Sequence, residues 1–262
     1  MSDVDYSPVE IMTVAAARKL RNGAVCFVGI GLPSAAANLA RITHAPELVL
    51  IYESGTIGAK PDVLPLSIGD GELAETADTV VSVPEIFRYW LQGGRVDIGF
   101  LGAAQIDKFG NINTTVIGPY SSPRVRLPGA GGAPEIATAA KEVAIILKQS
   151  KRAFVEKLDF VTSSGHYPST AGNGKPGNRG RGPTTVITDL GIMRSDPTTS
   201  ELVLTAIHPG ITVEQVKDAT GWQLKIASNL ETTPRPLASE LLALRDLHAR
   251  TAAAHGNAEA TE

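Results

Sequence analysis

The feature that most restricts the fold is a strand, a glycine turn, a helix and a second strand packed into residues 24–52. The apolar run Ala24-Val25-Cys26-Phe27-Val28 leads into Gly29-Ile30-Gly31-Leu32-Pro33, a helical stretch over 34–41, and then Leu48-Val49-Leu50-Ile51-Tyr52. Strands this uniformly apolar need cover on both faces, and the intervening helix supplies the crossover between parallel neighbours. The pattern predicts an α/β fold, a mostly parallel sheet flanked by helices. Further runs of strand character fall at 79–83, 98–101, 143–147, 154–155, 185–188 and 202–206.

Helix boundaries are also encoded. Ser7-Pro8-Val9-Glu10 combines a capping hydroxyl, an early proline and a glutamate able to bond back to the cap, so a helix is expected from there to about Asn22, with Gly23 as its stop. Thr212-Val213-Glu214-Gln215 is a second capping box, with Gly221 as its stop, and Leu237, Leu241, Leu244 and Leu247 mark a final helical face. No linker interrupts the elements, so residues 1–251 are read as one domain and 252–262 as a flexible tail. The segment 165–183, rich in Gly, Pro, Asn and basic residues, reads as a mobile loop.

Composition excludes some functions. Of the 262 residues 43% are hydrophobic, enough for a sizeable core. The formal net charge is −3 with Lys and Arg scattered, so no nucleic-acid partner is expected. No stretch approaches the ~18 apolar residues of a membrane span, and the acidic start lacks the features of a secretion signal. Cys26, the single cysteine, reads as a small buried hydrophobe in a reducing compartment. No membrane association and a cytoplasmic location are expected.

Gly29-Ile30-Gly31 after one strand, with Glu53 ending the next, begins like a dinucleotide fingerprint. Its third glycine is replaced by Ser34, and Pro33 removes an amide donor. Gly29 and Gly31 then mark places where backbone can approach a helix or a ligand closely. Neither Ser54 nor Ser164 has the flanking glycines of a nucleophile elbow. His44, His166, His208, His248 and His255 lack metal-ligand spacing, and His208, before Pro209-Gly210, reads as a turn histidine.

What remains is Ile51-Tyr52-Glu53-Ser54-Gly55-Thr56-Ile57-Gly58. A carboxylate directly after a buried strand lies at the carboxyl edge of a parallel sheet, where ligands bind. Desolvating it costs free energy that only a functional site justifies, although an exposed rim glutamate would be spelled the same way. The run Pro128-Gly129-Ala130-Gly131-Gly132-Ala133-Pro134, before a helix at 135–140, offers consecutive amides for an oxyanion or a phosphate, or else a flexible connection. Between the two, Gln105 stands in a polar turn after a strand and can donate hydrogen bonds at the same edge.

Taken in order, Gly29-Ile30-Gly31-Leu32-Pro33, Glu53-Ser54-Gly55, the segment 101–110 and Gly129-Ala130-Gly131-Gly132-Ala133 resemble the β half of class I CoA transferases. With Ile207-His208-Pro209-Gly210-Ile211-Thr212 the likeness spans residues 10–225. The form Glu53-Ser54-Gly55 is similar to that of glutaconate-type β chains, and segments 50–61 and 85–94 are similar to members from aromatic degradation. The resemblance implies a fold of the NagB/RpiA/CoA transferase type and Glu53 as the nucleophile. It also implies Gln105, Gly131 and Gly132 as oxyanion or CoA-binding groups. It implies no cofactor or metal, the CoA thioester being a substrate, with succinyl-CoA as donor and 3-oxoadipate as acceptor among dicarboxylic acids. The implied partner is a homologous α subunit, in a heterodimer or an α2β2 heterotetramer. Glutaconate transfer, acyl-CoA hydrolysis and, from another class, a non-catalytic dinucleotide module stay open. Lys175, Arg179 and Arg181 are candidates for CoA phosphates or a substrate carboxylate, or belong to a solvated loop.

Overall fold

The computed structural model describes residues 5–165 and 182–256. Helix α1 (Pro8–Ala17) opens on the expected capping box, in which Ser7 Oγ accepts from the Glu10 amide at 3.2 Å and the Glu10 carboxylate accepts from the Ser7 amide at 2.8 Å. It ends well before Asn22. The amides of Lys19 and Leu20 reach back only to Ala16 and Ala17, a tightening that unwinds the helix before Gly23 turns the chain with φ +74°.

Strands β1 (Val25–Val28) and β2 (Val49–Ile51) pair in parallel and are joined by α2 (Leu32–Ile42), so the βαβ unit is present as expected. Strand β3 (Thr56–Ile57) folds back on β2; α3 (Gly71–Glu75) follows, then β4 (Thr79–Val80), antiparallel to β3. A short α4 (Val83–Glu85) runs into a π-helical turn, Ile86–Leu91. The chain then returns across the sheet, where β5 (Ile98–Leu101) lies parallel to β1 on the side away from β2. Two small hairpins follow, β6 (Gln105–Ile106) with β7 (Ile112–Asn113) and β8 (Val116–Ile117) with β9 (Val125–Arg126). Helix α5 (Ala133–Ala139) crosses to β10 (Glu142–Ile146), which is parallel to β5, and β11 (Pro183–Ile187) is parallel to β10. The remaining elements are β12 (Gly191–Ser195), β13 (Leu202–Ile207), α6 (Val213–Asp218), β14 (Lys225–Thr232) and α7 (Ala238–His255).

The ten-stranded sheet has the order β14-β13-β12-β11-β10-β5-β1-β2-β3-β4. Its centre, β11 to β2, is parallel throughout, while β12 and β3 enter antiparallel on the two flanks. Short turns explain the flanks: Thr188 closes the β11–β12 connection by a backbone bond to the Gly191 carbonyl at 2.9 Å, leaving no length for a crossover. The central strands bury both faces. Cys26, Val28, Leu50, Tyr52 and Phe100 point to α1, α2 and α7, and Phe27, Ile51, Leu101 and Ile145 point to α5 and the π-helical turn.

Several expectations need correction. The 154–155 run contributes only a bridge between Phe154 and Ile106. Leu241, Leu244 and Leu247 are buried as expected, but Leu237 is 54% exposed at the helix cap. Residues 252–255, expected in a tail, continue α7. The helix is held at its start by Arg18, whose guanidinium grips Glu240 at 2.8 and 2.6 Å, and near its end by Thr251 Oγ1, which accepts from the Leu64 amide at 2.9 Å. Of the expected loop at 165–183, residues 166–181, with Lys175, Arg179 and Arg181, lie outside the described residues. Among the described residues no helix is long and apolar enough to cross a membrane.

One strand residue sets how closely α5 approaches. A Cβ at Gly99 of β5 would lie 2.5 Å from Ile136 Cγ2, so the helix rests on bare backbone there. Overpacking of this kind typically costs about 1–3 kcal/mol. Gly99→Ala is therefore expected to lower unfolding free energy by that order in urea titrations; an unchanged midpoint would show that α5 can shift without penalty.

Candidate active site

Glu53 stands in the turn that converts β2 into β3. The Gly55 amide donates to the Tyr52 carbonyl at 3.0 Å and the Tyr52 amide to the Thr56 carbonyl at 3.2 Å, which closes the loop around Glu53 and Ser54. Gly55 has φ +97°, and a Cβ there would fall 2.0 Å from the Val81 carbonyl oxygen, so only glycine fits. Just before the turn, Tyr52 is fully buried, its phenol oxygen 3.3 Å from Ser34 Oγ and 3.4 Å from Asn38 Nδ2 of α2. The strand end is thereby anchored from one side while Glu53 lies against the glycine run that precedes α5.

That contact is tight. A Cβ on Gly132 would lie 2.7 Å from Glu53 Cδ and 2.8 and 2.9 Å from its two carboxylate oxygens; one on Gly131 would be 3.6 Å from Oε2. The carboxylate occupies the space that a side chain at 132 would take, so it lies directly against the Gly132 backbone. Glu53 is half-buried. Burial pushes its pKa up, the Gly132 backbone pulls it down, and burial prevails, so the acid titrates above the usual glutamate range. A partly dried carboxylate held against bare backbone is suited to act as a nucleophile on an acyl carbon.

The other expected site residues fall differently. Gly29 does approach another backbone closely, but the neighbour is β5: its amide donates to the Phe100 carbonyl at 3.0 Å, and a Cβ would meet that oxygen at 2.9 Å. Gly31 caps α2 with φ +81° and borders open space. Gln105 is buried and turned inward; its amide nitrogen donates to Asp159 at 3.1 Å and its oxygen accepts from Asn113 Nδ2 at 2.8 Å and the Asp159 amide at 3.1 Å. The expectation of a donor aimed at the sheet edge is not met, because the carboxylate of Asp159 captures it. His208 is a buried structural residue, Nδ1 lying 2.7 Å from Thr233 Oγ1 and Nε2 2.8 Å from the Thr188 carbonyl, and burial lowers its pKa. Cys26 is buried with its thiol pKa raised, an inert core group. Among the described residues no cluster of His, Cys, Asp and Glu could hold a metal ion. The sequence reading missed Tyr52 as the anchor of the Glu53 turn; its aromatic ring ending an apolar run carries no signal beyond packing.

The family model described as Coenzyme A transferase matches residues 9–219. The chain is 66% identical, over 96% of its own length and 96% of the relative's, to one of the subunits of the 3-oxoadipate CoA-transferase of Pseudomonas knackmussii. It is 36% identical, over 91% of each chain, to the corresponding subunit of the glutaconate CoA-transferase of Acidaminococcus fermentans. The solved glutaconate coenzyme A-transferase from that organism superposes with a TM-score of 0.81 at 32% identity, over 93% of this chain and 95% of the other.

Gly132 has φ −82° and ψ −16°, ordinary helical values that alanine adopts freely. Gly132→Ala should therefore fold, with the new methyl forcing the Glu53 carboxylate aside. Displacement of about 1 Å at a reacting group can cost ~10²-fold, so turnover should fall by that order while the circular dichroism spectrum is preserved. Full turnover would mean that the contact has no functional weight.

Proposed function

The chain belongs to the coenzyme A transferase family, and from the setting of Glu53 we propose that it is the glutamate-bearing subunit of an enzyme moving CoA from succinyl-CoA to 3-oxoadipate. The observation carrying the chemistry is the Glu53 carboxylate clasped by Gly131 and Gly132. The substrate pair is supported by the relative at 66% identity, whose name specifies 3-oxoadipate. Enzymatic CoA transfer follows from the family; the roles of individual residues are our reading.

The Glu53 carboxylate adds to the thioester carbon of succinyl-CoA, the C–S bond breaks, and CoA leaves as thiolate from a mixed anhydride. The thiolate then attacks Glu53 Cδ; the anhydride C–O bond breaks, succinate leaves, and a glutamyl-CoA thioester remains. The acceptor carboxylate attacks the same carbon and displaces thiolate, which attacks the acceptor's acyl carbon and returns Glu53 as carboxylate. Each step exchanges one anion for another, so the scheme calls for no external acid, metal or cofactor. Two of the four additions build an oxyanion on Cδ itself. The Gly132 backbone, packed against this carboxylate, is placed to stabilise that charge. Gly131, beside Oε2, is the candidate for the oxyanion on the substrate carbon.

Both of these relatives are named as single subunits of a larger enzyme, which supports assembly with a partner α subunit. We propose that this partner is a homologous CoA-transferase chain, in a heterodimer or an α2β2 heterotetramer. Succinyl-CoA is an intracellular metabolite, so the proposed site of action is the cytoplasm.

In the assembled enzyme Glu53→Ala should abolish transfer, and Glu53→Asp should lose on the order of 10²-fold from the shortened reach. Borohydride reduction after incubation with succinyl-CoA should convert Glu53 to an alcohol, detected by peptide mass spectrometry; an unmodified peptide in active enzyme excludes the covalent route. Since only the ionised acid attacks, activity should fall as pH drops through the raised Glu53 pKa, giving an acid limb of kcat/KM above the usual glutamate range. CoA release that needs no acceptor acid would identify a hydrolase.

A further inference from the structure

Gly132 must be held against Glu53 from both directions along the chain. On the α5 side the Ile136 amide bonds the Gly132 carbonyl at 2.9 Å, and Ile136 itself rests on Gly99. On the other side the glycine run is tied down at Gly129. The Gly129 amide donates to the Thr114 carbonyl at 3.2 Å, and Thr114 Oγ1 donates to the Gly129 carbonyl at 2.7 Å, so one residue clamps both polar groups of another. A Cβ at 129 would lie 2.8 Å from Thr114 Cβ, which shows how closely the two backbones are drawn together.

Thr114 is in turn fixed by its neighbours. Its amide donates to Thr162 Oγ1 at 2.9 Å, and that oxygen lies 2.6 Å from Thr115 Oγ1. The preceding residue, Asn113, is buried, its Nδ2 donating to Gln105 Oε1 at 2.8 Å and to the Val116 carbonyl at 2.6 Å. Gln105 thus acts in a polar framework beneath Thr114 and not at the sheet edge.

We propose that Thr114 is a positioning residue, whose hydroxyl bond to the Gly129 carbonyl sets the glycine run at the distance where the Gly132 backbone meets the Glu53 carboxylate. The inference rests on Glu53 as nucleophile and adds the group that places the backbone beside it. Removing the hydroxyl while keeping the side chain's shape leaves the Gly129 carbonyl without this partner and lets the run drift. Gly132 then stabilises the ionised acid and the oxyanion on Cδ less well, with substrate binding little altered.

The test uses the assembled enzyme with its α subunit. Thr114→Val is expected to lower kcat by roughly 10- to 10²-fold with KM for succinyl-CoA within about twofold, and to move the acid limb of kcat/KM to higher pH. Thr114→Ser, which keeps the donor, should restore most of both. An unshifted limb with normal kcat in Thr114→Val overturns the proposal, as does a Thr114→Ser variant equally damaged, which would assign the effect to the methyl group. If Thr114→Val fails to assemble, Thr114→Cys, with its weak donor, is judged by the same criteria. Glu53→Ala in parallel separates the two claims: an active Glu53→Ala enzyme defeats the nucleophile itself, whereas an inactive one beside an unaffected Thr114→Val defeats only the clamp.

Discussion

The arrangement of this protein turns on one steric fact: the carboxylate of Glu53 fills the place where a side chain at 132 would be. That contact joins a turn after β2 to the run before α5, and both partners need help to reach it. Gly55 makes the turn sharp enough, Tyr52 pins its root to α2, and Gly99 lets α5 settle onto the sheet. Each is a local concession in which a side chain is omitted or a polar group buried. Together they bring an acid and a backbone amide together at the sheet edge.

Topology explains why the site is there. From β1 the chain moves outward through β2, β3 and β4, then reverses across β1 to β5 and on to β10, with β1, β2, β5 and β10 parallel. Loops leaving neighbouring strands in opposite directions open a crevice at their carboxyl ends, and the Glu53 turn and the glycine run belong to the connections on either side of that reversal. The antiparallel strand β3 closes the Glu53 turn on the outer side. An open groove of about 550 Å³ lined by Arg194, Asp196, Lys225 and Asn229 lies on the outer strands β12 to β14, apart from Glu53.

The parallel centre was legible because its strands are continuous apolar runs, and the capping boxes at Ser7 and Thr212 were legible because both partners lie within one turn. Strand β14, KIASNLET, was not: it is an edge strand, largely exposed, and carries no apolar period. For Glu53, position after a buried strand was visible, but the choice between a rim acid and a site acid depended on Gly132, remote in sequence. Gln105 went astray for the same reason. Its capacity to donate can be read from its chemistry, whereas the Asp159 carboxylate that absorbs it is brought near only by the fold. Thr114 gave no signal, since a threonine after a short strand is commonplace.

The raised pKa of Glu53 carries a thermodynamic consequence for the whole chain. A carboxyl that ionises less readily in the folded state than in the unfolded one opposes folding whenever it is charged; the penalty is present in full above the folded-state pKa and disappears as acidity increases below the unfolded one. Near neutrality the native state thus tolerates a weak point that a neutral isostere such as glutamine would erase, and the gain in heat resistance from such a replacement should shrink in acid. A charged carboxylate at this one position is therefore kept at the expense of durability.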